Sequence, residues 1–145
     1  MAHIPEALRP ACAPASFEEP VLAVLSCTAL ADSIVVTYTL YADQPSMAAV
    51  YDAAVIAAGI DDSSGRCYNR DDDGEITVTI SRWPAENDYT IQDEPVGRYL
   101  CQNDATTATM TWTDDRLYVL ARASSDTAAV NELISFWIDE AGPLQ

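Results

Sequence analysis

Residues 33–59 read SIVVTYTLYADQPSMAAVYDAAVIAAG, and their hydrophobic period changes part-way along. From Ser33 to Tyr41 the residues alternate in a period of two, which predicts a strand whose apolar side chains face one way. These side chains are Ile34, Val36, Tyr38 and Leu40. Asp43 is then placed to cap a helix, Pro45 suits its first turn and Gly59 ends it. The helix should carry an apolar stripe at helical spacing. The stripe consists of Met47, Val50, Tyr51, Ala54, Val55 and Ala58.

The C-terminal end of the chain repeats this order of elements. Leu117 to Ala123 has the composition of a strand, a helix is predicted from Asp126, and Gly142-Pro143 ends it. Both predicted helices carry Ala-Ala-Val near their start. Each strand–helix pair is preceded by a further strand. We therefore predict two pseudo-repeated ββα units, at about 21–59 and 106–142.

The predicted fold class is α+β: an antiparallel sheet with two helices packed on one face and held by disulfides. The opposite face is expected to be open, because its strand positions hold Thr, Ser, Tyr and Arg. Residues 1–20 contain four prolines and are expected to form an irregular lead-in, and 21–142 to form a single domain. Other strands are predicted at Val21 to Cys27, Ile76 to Ser81, Arg98 to Cys101 and Thr106 to Thr113.

The four cysteines lie far apart and include no C-x-x-C pair, which is a poor arrangement for a zinc knuckle or a thioredoxin-type centre. An even number of scattered cysteines is typical of an oxidising compartment. Four cysteines allow three connectivities, and we favour the two sequence-local loops, Cys12–Cys27 and Cys67–Cys101. Buried free thiols in a cytosolic protein are the alternative.

The charge is strongly one-sided: seven Arg and no Lys stand against 23 acidic residues, for a formal net charge of −16. Such a surface repels phosphate backbones and anionic headgroups, so no nucleic acid and no direct membrane-surface binding is predicted. An affinity for cations or basic partners would account for the acidity, and so would solubility alone. Met1 to Glu6 lacks the basic and apolar regions of a signal peptide. If the cysteines are bonded, we expect an excised ectodomain or a mature chain.

Eight threonines are expected to share one sheet face, where a flat array of hydroxyls could contact a ligand. Thr is also common on half-exposed strands, which is the simpler interpretation. Trp83 stands beside a turn and is expected to be exposed, whereas Trp112 and Trp137 are expected in the core. The candidate ligand or partner contacts are Trp83, Thr37, Thr39, Thr77, Thr79, Thr109 and Thr111.

One acidic stretch has a metal-like pattern. Asn69, Asp71 and Asp73 match positions of a calcium loop, but the twelfth position, which needs a bidentate Glu, is Ile80. We interpret the stretch as an acidic hairpin turn, keep calcium as the weaker alternative, and predict no cofactor. His3 is the sole histidine and lies in the lead-in, which argues against a Ser–His or Cys–His pair. No enzyme is predicted.

Several stretches together resemble a known family of domains. They are GRYLC (97–101), WTDDRLYVLA (112–121), the Phe136-Trp137 end of the last helix, and the opening IPEALRPAC (4–12). The pattern is similar to extracellular domains of bacterial membrane serine/threonine kinases, chiefly actinobacterial, and of related lipoproteins and secreted proteins. The resemblance implies a sensory or binding module outside the cell, and it supplies no catalytic residue.

The sequence therefore predicts a non-enzymatic extracytoplasmic binding or sensing domain, secreted or part of a membrane-anchored protein. Its ligand would be an unknown protein or small molecule. The alternative is a structural or assembly subunit of a cell surface or filament, which would self-associate through sheet edges.

Overall fold

The computed structural model describes residues 4–6, 8–29, 33–60 and 65–141; His3 and Gly142-Pro143 lie outside these ranges. In chain order the elements are β1 Cys12–Pro14, β2 Val21–Ala29, β3 Ile34–Tyr41, α1 Gln44–Ala57, β4 Asn69–Arg70, β5 Ile76–Thr77, β6 Ala85–Ile91, β7 Glu94–Asn103, β8 Thr107–Asp114, β9 Val119–Asp126 and α2 Val130–Phe136. Within the described residues, seven strands form one antiparallel sheet in the order β1-β2-β3-β9-β8-β7-β6. β4 and β5 form a separate small hairpin.

The α+β class and the antiparallel sheet are confirmed, but the placement of both helices on one face is wrong. α1 shares a core cluster with Leu100 and Leu120, whereas α2 shares one with Cys101 and Ala121. Neighbouring residues in a strand point to opposite faces. The two helices therefore cover opposite faces of the sheet, which we call the α1 face and the α2 face.

The larger core lies on the α2 face. Ile34, Val36 and Tyr38, the predicted inward positions of β3, are buried there. Trp112 and Trp137 are buried in the same cluster, as expected. Burying one large apolar side chain stabilises a fold by about 1.5–3 kcal/mol. This cluster is therefore the main source of stability.

α1 begins as predicted. Asp43 Oδ1 accepts a hydrogen bond from Ser46 N at 2.8 Å, Pro45 lies in the first turn, and Gly59 adopts φ +77° just beyond the end. The cap pairs a backbone N–H that the first turn of a helix leaves unpaired. The predicted stripe is buried at Met47, Tyr51 and Val55 and exposed at Val50.

Both predicted disulfides, Cys12–Cys27 and Cys67–Cys101, are present. The first joins directly opposed residues of β1 and β2 and so ties part of the lead-in to the sheet. The second joins the loop before β4 to β7, and both of its cysteines are buried. Each half of the chain has a hairpin followed by a helix, and the pseudo-repeat stays a prediction.

The chain between α1 and β7 differs most from the prediction. Instead of one strand over Ile76 to Ser81, it forms the two-residue β5 and then a 3-10 turn at Ile80–Arg82. The edge strand β6 follows, and it was not predicted because its sequence, AENDYTI, lacks apolar alternation. The β6–β7 hairpin turns at Gln92 and Asp93, both with positive φ, as in a type I′ turn but without the Asn-Gly signal.

Candidate functional site

The predicted threonine array does not form one open surface. Thr77 lies in the β4–β5 hairpin and Thr79 in the loop after it. The strand register places the other candidates together on the α1 face, and two of them, Thr109 and Thr111, are buried. The candidates on that face are Thr37, Thr39, Thr109 and Thr111.

The uncovered part of the α1 face has Arg122 near its centre. Thr37 and Thr111 are its cross-strand neighbours, and Val35 on the same face is 45% exposed. Small-molecule sites are concave and enclose most of the ligand surface. An open sheet surface of this kind does not provide such enclosure.

The covered part of the α1 face contains an ion-pair network. Glu86, 1% exposed, accepts hydrogen bonds from Arg98 Nε at 2.8 Å and from the Tyr51 hydroxyl at 3.4 Å. Arg98 also pairs with Asp52 at 2.6 Å, and its guanidinium carbon lies 4.6 Å from the centre of the Tyr51 ring. Burial, together with the charge of Glu86, raises the pKa of Tyr51, so its hydroxyl stays protonated and donates. The network joins α1 to β6 and β7, and we interpret it as structural.

A pocket of about 330 Å³ opens between the loop before β4, the 3-10 turn and the start of β6. This volume is at the small end of the range for ligand pockets. Ala85 forms its buried part, and the other lining residues are exposed. The lining residues are Gly65, Arg66, Asn69, Arg82 and Ala85.

The pocket is held by the Cys67–Cys101 disulfide and by Trp83. The Trp83 indole is buried, so its predicted exposure is wrong, and its Nε1 donates to the Cys67 carbonyl at 3.0 Å. Nearby, Asn87 Nδ2 donates to the Gly65 carbonyl at 3.3 Å. Since Cys67 follows Arg66 and Trp83 follows Arg82, these bonds fix the two backbone segments that carry the arginines.

Arg66 and Arg82 set the charge of the pocket. In the described part of the chain, neither guanidinium makes an ion pair or a hydrogen bond, whereas Arg98 and Arg116 are both paired with carboxylates. Burial raises the pKa of Tyr99 to about 12, and the positive charge of Arg66 opposes this rise. The positive charge of Arg66 therefore also acts on Tyr99 in the neighbouring aromatic core.

The acidic stretch forms the predicted hairpin turn. Asp71 Oδ1 accepts hydrogen bonds from Asp73 N at 3.1 Å and from Glu75 N at 2.7 Å. Its carboxylate thus closes the turn between β4 and β5. Among the described residues, no group of three or more His, Cys, Asp or Glu side chains is arranged to hold a metal ion. Asn69, the third candidate ligand, lines the arginine pocket instead.

A second groove, of about 370 Å³, runs along α2 and the π-helix Trp137–Ala141 that follows it. It contains three carboxylates and none of the arginines, so its charge is opposite to that of the first pocket. Its lining residues are Asn131, Glu132, Ser135, Phe136, Asp139 and Glu140.

None of the helices in the described ranges has the length and apolar character needed to cross a membrane. Comparison with protein-family models, curated proteins and solved structures finds no match to the chain. The interpretation of the pocket therefore depends on its own residues.

Sequence reasoning missed the pocket. One signal was available: three of the seven arginines, Arg66, Arg70 and Arg82, fall within 17 residues of an otherwise acidic chain. The convergence of Arg66 and Arg82 on one pocket depends on the disulfide and on the 3-10 turn, and neither is visible as a periodic pattern.

Proposed function

We propose that this chain is a non-enzymatic binding or sensing domain that works outside the cytoplasm and binds its ligand in the pocket between Arg66 and Arg82. The observation that carries the proposal is the way the pocket is built. A buried disulfide and a buried indole hold two loop segments against the edge of the sheet, and the side chains of Arg66, Asn69 and Arg82 form no hydrogen bond or ion pair with the residues that the structure describes. Binding sites are commonly loops positioned by a rigid scaffold.

The extracytoplasmic location is supported by the two disulfides. Such bonds persist in oxidising compartments and are rare in the reducing cytosol. The resemblance to kinase ectodomains and related secreted domains favours the same location. A sensor role follows from that resemblance, because a domain outside the membrane would report a bound ligand to the rest of its protein.

The proposal is tested by amide NMR on the disulfide-intact chain with small neutral, cationic and anionic compounds. We expect at least one class to shift the amide signals of Gly65, Arg66 and Asn69. Asn69→Trp should abolish these shifts, because a large ring at this exposed position fills the pocket. Thr79→Trp introduces the same ring at an exposed position in the loop after β5, outside the pocket lining, and should preserve them. If no compound class shifts these amides, or if the shifts survive in Asn69→Trp, the proposal fails.

An assembly subunit is the second candidate function. Phe17 and Leu22 each expose more than half of their surface, at 52% and 54%, close to the edge strand β1. Exposed apolar side chains beside a sheet edge favour association. Solution mass measured over a hundredfold concentration range separates the two functions. A constant monomer mass would count against assembly.

A further inference from the structure

We infer that the ligand of this pocket is a small molecule that presents a carboxylate or a phosphate group. The inference rests on the proposed function and adds the chemistry of the ligand. Among the residues that the structure describes, those that line the pocket include two of the seven arginines and no acidic side chain. In a protein of net charge −16, such a composition singles out this pocket for an anion.

The donors fit an oxyanion. A guanidinium offers five N–H donors in a planar fork that matches the paired oxygens of a carboxylate or phosphate. Arg66 and Arg82 line the pocket from different segments, and the Asn69 amide adds a neutral donor to the same lining. Because none of the described acidic side chains neutralises either arginine, a bound anion would supply the missing counter-charge.

The overall negative charge does not prevent this binding. At physiological ionic strength, interactions between exposed charges are screened beyond about 8 Å. An anion in the pocket would lie against residues that include Arg66 and Arg82, and none of the described acidic side chains forms an ion pair with either arginine. The same acidic surface would repel a long polyanion, since each additional phosphate adds repulsion. The volume of about 330 Å³ also limits the ligand to a compact molecule.

If the paired N–H donors of Arg82 bind the ligand, substitutions of Arg82 should weaken binding to different degrees. Arg82→Lys keeps the charge but loses the paired donors, so it should weaken binding several-fold. Arg82→Ala removes both and should weaken binding at least tenfold. Arg70→Ala is the matched control, because Arg70 is also an exposed arginine and directly follows the lining residue Asn69 but does not itself line the pocket. We expect it to change affinity less than twofold.

The experiment titrates inorganic phosphate and, separately, succinate into the disulfide-intact chain at constant ionic strength, with choline chloride as the cationic probe. Binding is read from the amide signals of Gly65 and Asn69. Saturable shifts with phosphate alone identify a phosphate ligand, and saturable shifts with succinate alone identify a carboxylate ligand. Either result supports the inference when Arg82→Ala weakens the binding and Arg70→Ala does not.

Two results would overturn the inference. One is the absence of shifts from either anion at 10 mM, and the other is equal weakening by Arg82→Ala and Arg70→Ala. If choline or a neutral compound instead binds in the pocket and is displaced in Asn69→Trp, the binding function stands while its anionic ligand does not. If nothing of any charge binds there, the proposed function itself fails.

Discussion

Arg98→Ala is the substitution that most directly tests how α1 is held on the sheet. The change removes the cation that faces the carboxylate of Glu86, whose side chain is 1% exposed and which also accepts a hydrogen bond from the Tyr51 hydroxyl at 3.4 Å. It also removes the ion pair with Asp52 and the stacking over the Tyr51 ring. A buried carboxylate that loses its cation is costly, because protein groups no longer replace the hydration it gave up.

The magnitude can be bounded from the burial of the partners. Breaking a buried ion pair on one side costs about 3–5 kcal/mol. The Arg98 side chain is 35% exposed, so water already weakens its attraction to Glu86, and the lower end of that range is expected. Asp52 is 53% exposed, so its pair with Arg98 should contribute about 0–1 kcal/mol. We therefore expect a loss of about 3 kcal/mol for Arg98→Ala and less than about 1 kcal/mol for Asp52→Ala.

Chemical denaturation of both variants and the parent gives these differences, and thermal melts give an independent reading. For a chain of this size, 1 kcal/mol corresponds to roughly 3–4 °C, so Arg98→Ala should melt about 10 °C below the parent. The double variant Arg98→Met with Glu86→Leu should recover much of the loss, because an apolar pair no longer leaves a charge buried. Equal stability of Arg98→Ala and Asp52→Ala would refute the reasoning.

Three further outcomes are expected. Trp137→Ala should lower the free energy of unfolding by about 3 kcal/mol in chemical denaturation. This is the low end for a buried aromatic, because the Trp137 Nε1 finds no hydrogen-bond partner among the described residues, and Trp137→Phe should be nearly neutral for the same reason. A parental melting temperature for Trp137→Ala would show that the ring is exposed. Alkylation of the native, non-reduced chain should modify no cysteine by intact mass, and four modified cysteines would contradict both disulfides. Burial raises the pKa of Tyr99 to about 12 and also raises that of Tyr38, so the unfolded chain loses these protons first and stability should fall above about pH 10. A free energy of unfolding that stays constant as the pH rises through this range would contradict this.

The elements that the sequence predicted well are those whose signals are local. In α1, the cap at Asp43, the proline in the first turn and the glycine beyond the end all act within a few residues, and the structure contains each of them. β3 shows the same advantage, because alternation alone identifies Ile34, Val36 and Tyr38 as buried. The disulfides were predicted by choosing the sequence-local loops, and the structure has that pairing.

The predictions failed where the answer depends on distant parts of the chain. Which face a helix covers is set by the strand that the chain enters next and by the direction of the connection, and neither changes the period of the helix itself. Likewise, Glu86 is buried in an edge strand because Arg98 and Tyr51 from two other elements satisfy it. A pattern-based interpretation treats such a residue as exposed.

The arginine pocket lies in the same part of the chain that the sequence predicted least well, and the two facts have one cause. Within residues 65–85 the alternating run Ile76 to Ser81 predicts a strand, but the chain forms the two-residue β5 and a 3-10 turn there, so the local sequence alone does not specify the path of this segment. The Cys67–Cys101 bond and the Trp83–Cys67 hydrogen bond specify it instead. A segment fixed by a few point contacts need not bury most of its side chains, and this leaves Arg66 and Arg82 available to a ligand. Reduction of Cys67–Cys101 should therefore weaken succinate or phosphate binding more than it weakens the ion pairs of Arg98 with Glu86 and Asp52 on the α1 face.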